Sequence, residues 1–204
     1  MSLSAKQVYF GNYVFNIWEN VYEPAEDSFF FAENLNVRED ETVLDVGAGC
    51  GILGILAAEK ASSVLSVDVN PYAIRCAKEN SELNNVQSKI CCVQGDLFAP
   101  LSKSCKFDVI LFNAPYLPVT KNEIESWIGR AWAGGADGRE IIDRFIVETP
   151  NYLKQKGRVL LMQSTLARVK ESLRRFADCG MNVRVVTELS LPFFETIKLI
   201  EAKI

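Results

Sequence analysis

Val43-Leu44-Asp45-Val46-Gly47-Ala48-Gly49-Cys50-Gly51 is the stretch on which the fold turns. A short strand-forming run passes directly into three glycines at alternating positions, and the apolar run from Ile52 follows at once. A strand that bends sharply into a helix needs residues without side chains at the bend, both for its backbone angles and to let a ligand approach the main chain. Outward from this turn the pattern repeats. VLSVD (64–68) precedes a helical pattern from Tyr72 to Leu83, and KICCVQ (89–94) and FDVILFN (107–113) follow. A helix is expected from about Gly138 to Leu153, a strand over GRVLLMQ (157–163) and a helix from Leu166 to Asp178. Alternating strands and helices of this length predict βαβ units on a parallel sheet. NVRVVTEL (182–189) and ETIKLIEAKI (195–204) have no helix between them, so they should pair antiparallel across the turn at Pro192.

Ahead of this core, Gln7 to Ile17 reads as a hairpin around Gly11-Asn12. Pro24 with Glu26 and Asp27 reads as the first turn of a helix reaching about Leu35. One domain over 1–204 is expected, with 1–40 as a cover segment and 41–204 as a Rossmann-like core.

The formal net charge of -4 gives no general attraction for a polyanion and argues against a nucleic-acid partner. There is no histidine, which excludes an imidazole base, a His-Asp relay and a histidine metal ligand. The six cysteines form no CxxC pair and no zinc-ligand spacing, so no bound metal is expected and the thiols read as buried in a reducing compartment. The opening MSLSAKQVYF lacks a basic segment followed by an apolar one, and no apolar run nears the roughly 18 residues of a membrane span. A cytoplasmic protein without membrane contact is the expectation.

Three acids fall at successive strand ends. Asp45 sits just before the glycines, where a carboxylate faces a cation rather than a pyrophosphate, and amino and sulfonium groups are such cations. Asp68, followed by the helix-opening Asn70-Pro71, suits a ribose diol. Asp96 with Leu97 offers a carboxylate for an exocyclic amine and an apolar face for its ring. As loop caps the three would each be ordinary; together they describe a ligand crevice.

The next strand delivers Asn113-Ala114-Pro115-Tyr116. Pro115 disfavours the helical conformation at Ala114 and keeps the chain extended past the sheet. The Asn113 side chain and the Ala114 carbonyl are two acceptors and Tyr116 a flat ring, a set suited to a planar nitrogen carrying two N–H bonds. In Trp132-Ala133-Gly134-Gly135-Ala136-Asp137-Gly138-Arg139-Glu140, Asp137 and Glu140 read as a capping-box helix start, and the paired glycines as a mobile or closely approached loop.

With DVGAGCG, DVNP, GDL and NAPY in this order, the chain resembles the nitrogen-directed class I methyltransferases that carry an Asn-Pro-Pro-Tyr motif. VYEPAEDS (21–28) and WAGGADGRE (132–140) narrow the resemblance to the HemK-type release-factor glutamine methyltransferases, in their archaeal and eukaryotic branch. The resemblance implies a mostly parallel seven-stranded sheet with helices on both faces and an antiparallel C-terminal strand, behind a short hairpin and helix. It implies that Ser28, Asp45, Gly47, Gly49, Asp68, Asp96, Leu97 and Asn113 contact S-adenosylmethionine. Asn113, Ala114, Pro115 and Tyr116 would form the catalytic turn that holds the glutamine amide of a release factor's Gly-Gly-Gln motif. It further implies a small zinc-binding activator subunit as partner. Ala114 departs from the family's proline, a position thought to act through its backbone oxygen. Alternatives are N-methylation of a nucleic-acid amino group or of lysine, or a scaffold that keeps the fold without catalysis.

Overall fold

The computed structural model describes residues 6–119 and 125–204. Met1–Ala5, part of the opening read above as no targeting segment, lie outside it. The chain divides into two compact units, one running to Pro100 and one from Leu101 to Ile204.

In the first unit, β1 (Lys6–Phe10) and β2 (Tyr13–Ile17) form the expected hairpin, and Gly11 supplies the positive φ of its turn. The next helix, α1 (Glu26–Glu33), starts later than expected. Ala25 is extended and acts as the cap, which leaves Pro24 outside and puts Glu26 and Asp27 in the first turn. Strand β3 (Thr42–Val46), helix α2 (Ile52–Ala57), strand β4 (Ser63–Asp68), helix α3 (Pro71–Leu83) and strand β5 (Ile90–Gln94) then alternate. The three strands are parallel, with β4 central and β5 at the sheet's edge. Asn70 caps α3 by accepting the Tyr72 N–H at 2.9 Å, and Pro71 takes the first helical position, where it has no bond to lose.

The hairpin is fastened by amides. Asn84, the C-cap of α3, accepts the Val14 N–H at 3.0 Å and donates to the Val14 carbonyl at 2.7 Å. One turn earlier, Asn80 does the same for Asn16, at 2.8 and 3.0 Å. Two side chains four apart on one helix face thus stand in for the missing strand beside β2.

The second unit contains β6 (Phe107–Asn113), α4 (Trp127–Trp132), α5 (Glu140–Glu148), β7 (Leu153–Ser164), α6 (Val169–Asp178), β8 (Asn182–Ser190) and β9 (Thr196–Lys203). The strands lie in the order β6-β7-β9-β8 and only β9 runs against the rest, as expected for the last two strands. With β3, β4 and β5 this completes the mostly parallel seven-stranded sheet. Helix α5 stops at Glu148 and not at Leu153, because Pro150 cannot donate to the preceding turn and the chain tightens into a 3-10 turn over Thr149–Tyr152. Before α6, Arg168 adopts φ 54 and separates a 3-10 turn at Thr165–Ala167 from the helix. Helix α4 was not anticipated; the Ser126 hydroxyl caps it by accepting the Gly129 N–H at 2.9 Å.

All six thiols are free, but only Cys50 and Cys76 are buried. Cys91 is exposed on the edge strand and the other three are half-buried, so the expectation of six buried thiols is corrected: successive residues of an edge strand face opposite sides. Among the described residues, no helix is long and apolar enough to cross a membrane.

Candidate active site

In the first unit the glycine turn is tied to the end of β4. Gly47 and Ala48 donate to the Val67 carbonyl at 2.8 and 3.1 Å. Gly47, Gly49 and Gly51 all have positive φ, which L side chains rarely tolerate. A Cβ on Gly51 would press on Ala77 at 3.0 Å, whereas one on Gly49 would meet nothing within 4 Å. Packing therefore fixes Gly51, and open space lies in front of Gly49.

Asp45 is fully buried at the end of β3. Its Oδ2 accepts the Gly54 N–H at 3.0 Å, one of the first-turn donors of α2 that have no partner inside the helix. Gly54 must be glycine, since a Cβ would sit 2.8 Å from that oxygen and 2.8 Å from Ser66 Oγ. The other oxygen, Oδ1, is buried without a hydrogen bond. Burial pushes the carboxyl up to about 7, against the Gly54 N–H and with help from the Asp68 charge. An orphaned buried carboxylate oxygen is what a cationic donor would satisfy, so this acceptor fits the amino group of S-adenosylmethionine.

Asp68 accepts from Gly49 N–H at 2.9 Å through Oδ2 and from Asn70 N–H at 2.8 Å through Oδ1. Burial raises its pKa, and those two N–H groups oppose the rise. Each oxygen keeps a further lone pair, so a diol can be accepted at the same carboxylate. At the end of β5, Asp96 is exposed, and Leu97 is buried with φ 48. A branched side chain in the left-handed region is a local strain of a kind that gathers at ligand sites. Ser28, buried on α1, bonds through its N–H and hydroxyl to Asp27 Oδ1 at 2.6 and 3.2 Å, and Tyr22 donates to the same oxygen at 3.4 Å.

In the second unit Asn113 ends β6 in register with Met162, and the Ala114 N–H donates to the Met162 carbonyl at 3.3 Å. Ala114 is buried, while Pro115 and Tyr116 are half-buried. The chain beyond is held by the second motif. Leu117 N–H donates to Trp132 O, Gly134 N–H to Leu117 O and Val119 N–H to Gly135 O, all within 3.0 Å. A Cβ on Gly138 would lie 2.4 Å from the Tyr116 carbonyl. Cβ atoms on Gly134 and Gly135 would lie 2.6 Å from the Gly138 carbonyl and from Glu140 Oε2, so the paired glycines form a closely approached loop. The capping box does not form: Asp137 accepts from Arg139 N–H at 3.1 Å, and the Glu140 N–H goes to the Gly134 carbonyl at 2.9 Å.

Two residues that sequence reasoning passed over hold these turns. Asn80 also donates to the Cys50 carbonyl of the glycine turn at 2.9 Å. Arg139, almost wholly buried, donates to the carbonyls of Ala167 and Arg168, to Ser172 Oγ and to Asp143. The only early signal for Asn80 was its spacing of four from Asn84.

A parallel sheet with a glycine turn and acids at its strand ends defines the class, and a family model for the methyltransferase small domain matches residues 23–129. A provisionally named protein N5-glutamine methyltransferase of Methanocaldococcus jannaschii is 47% identical over 177 residues, covering 86% of this chain and 88% of that protein. Methyltransferase HEMK2 of Homo sapiens is 34% identical over 151 residues, 69% of this chain and 70% of that protein. Among solved structures, a chain of the E. cuniculi Mtq2-Trm112 complex, responsible for methylation of the eRF1 translation termination factor, aligns at TM-score 0.70 and 26% identity, covering 90% of this chain and 98% of that one. The chain belongs to the HemK-type family of S-adenosylmethionine-dependent methyltransferases.

Proposed function

We propose that the chain methylates the side-chain amide nitrogen of the glutamine in the Gly-Gly-Gln motif of a peptide-chain release factor. The observation that carries the reading is the fixed turn Asn113-Ala114-Pro115-Tyr116 at the carboxyl end of β6, held on one side by Met162 and on the other by Gly138. The cofactor supplies an electrophilic methyl group when bound. Asp45 then holds its amino group, Asp68 its ribose hydroxyls, and Asp96 with Leu97 its adenine, with Ser28, Gly47 and Gly49 completing the contacts.

Asn113 Oδ1 and the Ala114 carbonyl each accept one N–H of the target amide, and the Tyr116 ring covers its face. An amide nitrogen is a poor nucleophile that gains positive charge as it attacks, so both acceptors bind the transition state more tightly than the ground state. Each such contact is worth on the order of 3–4 kcal/mol of barrier, and alignment of the two reactants roughly 7–11 kcal/mol more. No prior deprotonation is required, which suits a chain without histidine.

The two units work as one catalytic domain over 1–204, in the cytoplasm, with a small zinc-binding subunit as activator. Support for the partner comes from the complex in which the solved relative occurs and from β5, an edge strand with an exposed thiol. Peptide mass spectrometry of a release factor incubated with the chain, cofactor and activator should find one methyl group on that glutamine. Asn113→Ala should lower turnover by at least about a hundredfold and weaken cofactor binding only modestly. An unmodified glutamine alongside methyl transfer to nucleic acid would overturn the reading.

A further inference from the structure

At the tip between β8 and β9 the chain makes a 3-10 turn over Pro192–Phe194. Phe194 stands entirely in solvent and has φ 65, a conformation that a bulky residue rarely adopts. Exposure and strain at one aromatic give nothing to the fold of the free chain. The tip is anchored all the same: the Thr196 N–H donates to Thr165 Oγ1 at 3.1 Å, and beside Thr165 stands Leu166, 49% exposed.

Sheet register places this tip on the acceptor side. Asn113 pairs with Met162, Met162 with Leu199, and Ser164 with Ile197. Strand β9 is therefore two strands from β6, about 10 Å. The tip projects past the Asn113 row by three residues or more, about another 10 Å. About four residues of extended polypeptide span the diagonal from the acceptor turn to Phe194.

Resting on the glutamine-methylation reading, we infer that Phe194, with Pro192 and Leu166, is a docking point for an apolar side chain of the substrate polypeptide near the methylated glutamine. Size selects this occupant. One aromatic side chain offers about 150–250 Å², and with its two neighbours the patch stays well below the roughly 800 Å² per partner of a stable interface. That suits a substrate that must leave after each turnover and not a permanent subunit or a second copy. A rigid tip carrying one aromatic at full exposure also gives contact area at little cost in side-chain freedom.

The test is steady-state kinetics of the full chain with its activator on an intact release factor. Phe194→Ala should raise KM for the release factor about tenfold or more while leaving kcat, cofactor affinity and melting temperature unchanged. Phe194→Leu should stay within about threefold of wild type, and Leu166→Ser should shift KM in the same direction as Phe194→Ala. Wild-type methylation with an unaltered KM in Phe194→Ala would overturn the docking role alone. A concentration-dependent dimer that Phe194→Ala dissolves would overturn it in favour of a second copy. Failure of the wild-type chain to methylate the release factor would instead sink the functional reading and this inference with it.

Discussion

At the scale of single residues, Asp45 caps the first turn of α2 through Oδ2 and keeps Oδ1 buried without a hydrogen bond. In the free protein burial pushes its carboxyl up to about 7, against the Gly54 N–H and with help from the Asp68 charge. A folded-state pKa above the unfolded one means that the folded state binds the extra proton, so this group's contribution to stability declines as pH rises from about 4 toward 7. A bound ammonium reverses the preference by favouring the carboxylate. Cofactor binding below pH 7 should therefore release a proton, and affinity should climb with pH up to about 7, by at most about tenfold per unit. Calorimetry at pH 6.0 and 7.5 in buffers of different ionisation enthalpy measures both effects. In Asp45→Asn the affinity should be lower and flat over this range; a wild-type affinity that is equally flat would remove Asp45 from the cation's contacts.

Among the elements, the hairpin shows what a sequence pattern leaves out. Its strands and turn were legible from alternation and Gly11, as were β3 to β9, because periodicity and turn residues are local signals. The amide clasp was not, since it depends on which face α3 turns toward β2. Removing one clasp should cost about 1 kcal/mol, since the main-chain groups it leaves unpaired are only part-buried. Asn84→Ala should accordingly lose hydrogen-exchange protection at the Val14 amide, whose N–H it holds at 3.0 Å, with little change in β3 or β4. Retained protection at Val14 would show that the hairpin is held by other contacts. The site divides the same way. Asp45, Asp68, Asp96 and the Asn113 turn could be read because strand ends and a proline mark them. The buried Arg139, the strained Leu97 and the hold of Asn80 on Cys50 arise only when distant segments meet. Helix α4 was missed because its apolar run is short and only Ser126 signals its start.

For the molecule as a whole, the remaining issue is how the edge at β5 is covered. An exposed strand edge carries unpaired main-chain groups and invites another chain. Here it also carries Cys91 in solvent, while the adjacent Cys92 is half-buried and its thiol is raised to about 11 by burial. Among the described residues no group of three or more cysteines or acids is arranged to hold a metal, and on the proposal of a zinc-binding activator the zinc belongs to that subunit. Together these features make the partner's footprint measurable. A maleimide should label Cys91 readily and Cys92 slowly in the chain alone, as read by peptide mass spectrometry. Adding the activator should protect Cys91 and raise methyl transfer to the release factor, and zinc chelation should reverse both effects without altering the chain's own cofactor affinity. Full activity of the chain alone would show that it needs no activator. Activation with Cys91 still labelled at its original rate would place the partner elsewhere and leave β5 a free edge.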